Sequence, residues 1–109
     1  MLDTRSLRHF VAVAQELHFG KAARRLNMSQ PPLSISIRQL EERLGVTLFI
    51  RTQRSVELTP AGRELLNRAL QILEAMEDAA SAVQAVAKGR RGVLRIGYTS
   101  ASAYQAVPE

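Results

Sequence analysis

At 109 residues and a net charge of +5, the chain has room for one domain and a short appendage. It holds no Cys, which excludes disulfides and thiolate metal sites and fits a reducing cytosol. No apolar run approaches the roughly 20 residues that a bilayer-spanning helix needs, and the first residues lack the charged, apolar, small-residue series of a secretory signal, so a cytoplasmic protein without a membrane segment is expected.

Asp3 or Thr4 can cap a first helix in which Leu7, Phe10, Val11, Ala14 and Leu17 share one face, and Phe19 follows as an apolar plug. His9 and His18 are the only histidines; they are too few for a metal site and read as packing or surface residues, and no cofactor is implied. Gly20 opens a second, short helix, Lys21 to Leu26, with Ala22, Ala23 and Leu26 turned inward. The two alanines let another helix cross closely, where larger side chains would hold the axes apart. Asn27 tolerates left-handed geometry, and Met28 can tuck under the corner.

The third helix spans the stretch from Ser29 to Gly45. Leu33, Ile37, Leu40 and Leu44 recur at spacings of four, three and four, one buried stripe of an α-helix. Ser29 suits the N-cap, Pro31 and Pro32 fall in the first turn, where a missing N–H costs nothing, and Gly45 supplies a left-handed stop. The opposite face carries Pro31, Ser34, Ile35, Arg38 and, near the end, Glu42. A surface helix ordinarily fills that face with long charged side chains. Here its first half is small, apolar or cationic, as suits a helix pressed into a DNA groove. Short helix, tight turn and third helix form a helix-turn-helix; the plain alternative is an ordinary helical corner.

Val46–Ile50 is β-branched and apolar, R-T-Q-R-S interrupts it, and Val56 and Leu58 alternate with Glu57, so a hairpin with a basic tip is predicted. Arg51 and Arg54 lie there with no acid nearby in sequence. Directly behind a helix-turn-helix such a hairpin is a wing, able to lie along phosphates or to reach into the minor groove; an ordinary solvated hairpin is the alternative. Thr59-Pro60 is a strong helix start. The helix it opens should reach Lys88, about 29 residues or roughly 43 Å. Leu65, Ala69, Ile72, Met76, Ala79, Val83 and Val86 keep a four-three heptad seam, widened by Leu66, Leu70, Leu73, Ala80 and Ala87. So long a stripe calls for a second copy, and a dimer through it is expected. K-G-R-R-G at 88–92 reads as a hinge, and V-L-R-I-G-Y as a strand beginning something new. Residues 93–109 would then be the severed start of a second domain.

The charge has a place. Residues 1–63 hold ten Lys and Arg against five acids, which is the whole excess, and no acid lies between Leu17 and Leu40 or between Arg43 and Val56. Such a field attracts polyanions, although a merely solvated basic face would look alike. A structural coiled-coil dimeriser would account for the heptads but not for the uncharged helix face or the Arg-bearing hairpin. A non-specific architectural DNA binder remains open. An enzyme is disfavoured: there is no Cys, no Gly-rich phosphate loop and no carboxylate pair in a plausible cleft.

With these elements in order, the sequence resembles the N-terminal part of LysR-type transcriptional regulators. L-R-H-F-V-A-V-A-Q, K-A-A-R-R-L-N-M-S-Q-P-P-L-S and L-E-E-R-L-G-V-T-L-F-I-R-T-Q-R-S-V-E-L-T-P-A-G carry the likeness over residues 5–63 with order and spacing intact. The resemblance implies a mainly α fold: a winged helix-turn-helix over 1–58, a linker helix over 59–88 that makes the dimer, a hinge at 89–92, and the start of an effector-binding domain over 93–109. It implies promoter DNA as partner, tetramers of the full protein, and a small-molecule effector bound by the missing part. Residues matching Gln30, Pro31 and Ser34 face bases in the family, and the one matching Arg54 enters the minor groove. With Ser29, Pro32, Ile35, Arg38 and Arg51 they make the expected DNA-contacting set. The position of Ser100 borders the effector pocket in some members. The forms Q-P-P-L-S and G-Y-T-S resemble regulators of aromatic-compound breakdown. Many relatives carry Arg where this chain has Ile35, and an acid where it has Ile50.

Overall fold

The computed structural model of the protein describes residues 2–96. Its elements are α1 (Thr4–Glu16), α2 (Phe19–Arg25), α3 (Gln30–Leu44), β1 (Phe49–Arg51), β2 (Val56–Leu58) and α4 (Pro60–Ile96). The chain divides after Glu74 into two units, and the winged helix-turn-helix lies in the first.

The helix ends follow from local chemistry. Asp3 caps α1 by accepting the Ser6 N–H at 3.1 Å, and Thr59 caps α4 by accepting the Gly62 N–H at 2.9 Å while its own hydroxyl donates to the Thr47 carbonyl at 2.7 Å. Gly45 ends α3 in the left-handed conformation at φ 71°. Leu17 and Asn27 also adopt positive φ, so both ends of the α2 corner turn through left-handed residues.

The core of the first unit is built by the stripes that the spacing predicts. Phe10 and Val13 of α1, Ala22 of α2, and Leu33, Ile37 and Leu40 of α3 are fully buried. Ala22 and Ala23 present only methyl groups where α2 meets its neighbours, which permits the close approach. Phe49 of β1 stands with its ring 5.4 Å from Phe10 and 6.1 Å from Phe19, tying the wing to the helices. β1 and β2 pair antiparallel with Phe49 opposite Leu58 and Arg51 opposite Val56.

Three expectations change. The strand starts at Phe49 rather than Val46, because Leu48 is drawn into the core ahead of the ladder. Ala69 is wholly buried and Leu65 half-buried in the core of the first unit, so the first third of the heptad seam packs inside the fold. A four-three stripe marks a buried face without saying whose residues bury it. Finally, α4 continues through 89–96, where a hinge and a strand were expected. A Gly inside a helix costs only about 1 kcal/mol against Ala, and a strand gains nothing without a partner strand. The remainder of the expected effector domain, with Ser100, lies outside the described residues.

Candidate nucleic-acid interface

The start of α3 has an unusual cap. Ser29 occupies the N-cap position with extended backbone, yet its hydroxyl makes no capping hydrogen bond. The reason lies in the next residues: a capping oxygen bonds the second or third N–H of the helix, and Pro31 and Pro32 have none. Gln30, Pro31, Pro32, Ile35 and Arg38 are exposed, and Ser34 is half-buried.

The exposed surface of α3 divides between two flanks. On one, Gln30 and Ser34 line an open groove of about 490 Å³ together with Leu17, His18, Gly20 and the wing tip from Arg51 to Val56. On the other, Pro32, Ile35, Ser36 and Gln39 line a groove against the start of α1, with Arg5, His9 and Arg43. Arg38 lies further along, among Glu41, Glu42 and the turn at Gly45–Thr47.

The wing tip is held by Thr52. Its hydroxyl accepts from the Ser55 N–H at 3.0 Å and the Arg54 N–H at 3.2 Å, and its own N–H donates to the Ser55 carbonyl at 2.9 Å. Arg54 is thereby presented from a bonded loop, and its guanidinium, like that of Arg38, makes no ion pair among the described residues.

Arg51 differs from expectation. Its guanidinium reaches the Glu41 carboxylate at 3.4 Å and lies 4.7 Å from the centre of the Phe19 ring. Glu41 sits ten positions earlier, so the acid-free run around Arg51 in sequence does not survive folding. The same carboxylate accepts from the N–H groups of Leu48 at 2.8 Å and Phe49 at 3.2 Å, which fixes where the chain leaves α3 for β1. Arg51 thus braces the wing rather than standing free.

His18 and Gly20 were not singled out from sequence as site residues. His18 is the N-cap of α2, its Nδ1 accepting the Lys21 N–H at 2.9 Å. His is not among the usual caps, so no sequence signal pointed to it. His9 bonds Ser36 of α3 at 2.8 Å through Nδ1; burial, and then the charge of Arg5, push its imidazole below the ordinary value. The described residues hold no group of three His, Cys, Asp or Glu placed for a metal ion, and no helix among them is long and apolar enough to cross a membrane.

Residues 4–63 match the family model described as bacterial regulatory helix-turn-helix protein, lysR family, more than half of the chain. The chain belongs to the lysR family. Among its relatives, the HTH-type transcriptional regulator AlsR of Bacillus subtilis (strain 168) is 50% identical over 107 residues, covering 98% of this chain and 35% of AlsR. A probable cat1 operon transcriptional activator of Acinetobacter lwoffii is 46% identical, again over 98% of this chain and 35% of the relative. This lysR-family chain therefore spans about a third of the length of the curated relatives it matches. Among solved structures, the complex of the BenM DNA-binding domain with benA site 1 DNA superposes with a TM-score of 0.77 at 41% identity, covering 81% of this chain and 99% of that one. The complex of the CbnR DNA-binding domain with DNA gives 0.76 at 40% identity, with 79% and 99% covered.

Proposed function

We propose that this lysR-family chain is the DNA-reading and dimerising part of a sequence-specific bacterial transcriptional regulator, acting as a binding protein and not as an enzyme. The observation that carries the reading is the groove that brings Gln30 and Ser34 of α3 beside the bonded wing tip bearing Arg54. With α3 in a major groove, Gln30, Pro31, Ser34 and Ile35 meet base edges, with Ser29 and Pro32 at their margin. Arg54 meets phosphate or the adjoining minor groove, and Arg38 supplies charge along the helix. Arg51 contributes by holding the wing.

The exposed apolar residues of α4, among them Ile72, Met76 and Val83 with the small Ala79 between, support dimerisation through this helix. In the full-length protein we place an effector-binding domain after α4, with a small-molecule effector, tetramers on palindromic promoter sites and a cytoplasmic location. Q-P-P-L-S and G-Y-T-S support a regulator of aromatic-compound breakdown. The test is selection of DNA from a random pool on the purified chain. Enrichment of a two-fold symmetric site, bound at least a thousandfold more tightly than scrambled DNA at fixed salt, is expected. Binding without sequence preference would make it an architectural protein instead.

A further inference from the structure

We infer that His18 is a DNA contact: its Nε2–H donates to a backbone phosphate beside the base read by Gln30, and Gly20 is the residue that lets the ring lie there. The inference rests on the DNA-binding reading above. It starts from the two nitrogens of one ring. Nδ1 of His18 accepts the Lys21 N–H at 2.9 Å, so it carries no proton, and the neutral ring must carry its proton on Nε2. The other ring nitrogen is thus a donor with no accepting capacity, and its natural complement is an oxygen that only accepts.

Position supplies that oxygen. His18 lines the same groove as Gln30, Ser34 and Arg54, at the start of α2. When the second helix of a helix-turn-helix enters the major groove, the first crosses the sugar-phosphate backbone. The ring is also seated closely. A Cβ added at Gly20 would stand 3.0 Å from Cε1 of His18, 3.3 Å from its Nδ1 and 3.8 Å from Oε1 of Gln30. A side chain at 20 would make the imidazole give by a few tenths of an ångström, while Gln30 would be met only at ordinary contact distance. His18 and Gly20 therefore act as a pair.

Capping and contact can be separated, because Ser and Asp cap a helix at least as well as His does. The protein, His18→Ser, His18→Asp and Gly20→Ala are compared by thermal melting and by affinity for the selected site at several salt concentrations. His18→Ser should melt near the unchanged protein yet bind about tenfold more weakly, the worth of a hydrogen bond to a charged group. Its salt slope should stay the same, because a neutral donor displaces no counterion. His18→Asp should bind more weakly still. Gly20→Ala should melt close to the unchanged protein, the helix preference of Ala offsetting the loosened His18 cap, yet lose affinity as well. Ethylation of one phosphate should impair binding by the unchanged protein and leave His18→Ser indifferent. Full affinity in a folded His18→Ser or His18→Asp overturns the inference and leaves His18 a cap only. A loss confined to one base position overturns the phosphate assignment. If the unchanged protein selects no site, the failure belongs to the DNA-binding reading itself.

Discussion

Ile35 is 48% exposed on the flank of α3 that faces the start of α1, so the core does not account for it. It cannot hydrogen-bond a base edge, but it can pack on the C5-methyl of thymine, the apolar feature of the major groove. Replacing thymine by uracil at each position of the half-site should therefore weaken binding at one position by about 0.5–1 kcal/mol. Ile35→Ala should abolish that difference, and a half-site blind to the methyl everywhere would remove Ile35 from the reading surface. The two wing arginines should separate in the same titrations. Arg54→Ala should lower the salt slope by about one ion-equivalent. Arg51→Ala should leave the slope nearly unchanged and lower stability by about 1 kcal/mol, the sum of a modest ion pair and a cation–π contact. His9 adds a pH dependence. Its folded pKa lies below 6.5 through burial and Arg5, against a smaller opposing effect of Asp3. The unfolded chain then takes up the proton first. The stability held by neutral His9 is present above pH 6.5 and is lost as pH falls through the lowered value. Melting curves of His9→Gln should lack that part of the acid sensitivity.

At the scale of elements, α4 approaches the chain entering β1 closely at Gly62. A Cβ at Gly62 would collide with the carbonyl oxygen of Leu48. Gly62→Ala should cost about 1–3 kcal/mol by urea unfolding despite the better helix propensity of Ala. The helices themselves were legible in the sequence, since Leu33, Ile37 and Leu40 lie at the spacing of a helix with one buried face, and Gly45 and Thr59-Pro60 mark ends through their own backbone chemistry. What escaped was contact across the chain. Glu41 entered the sequence reading only as one of five acids, and only folding shows it holding Leu48, Phe49 and Arg51. His18 escaped because its cap depends on a ring orientation that no spacing encodes. Leu65 and Ala69 misled for the opposite reason: their period was correct, but their partners lie within the fold.

For the whole molecule, the proposed dimer is the property that would turn a domain into an operator reader. Ile72→Glu with Val83→Glu should leave the winged domain folded, as judged by circular dichroism, while binding to the selected site falls sharply. Sedimentation of the unchanged protein on DNA should give two chains per site, with the recognition helices meeting major-groove faces about 34 Å apart or further on bent DNA. A single chain per site would refute the assembly. The paired prolines at the start of α3 carry a last consequence. With two amide donors missing, the tip of the proposed reading helix has little backbone left with which to grip phosphate, and on that proposal anchoring would pass to the wing and the α2 corner. Grip and spelling are then held by different residues. A library varied at Gln30, Ser34 and Ile35 should yield proteins that address new operators at undiminished general affinity, a division of labour that lets such a regulator change its targets by few substitutions.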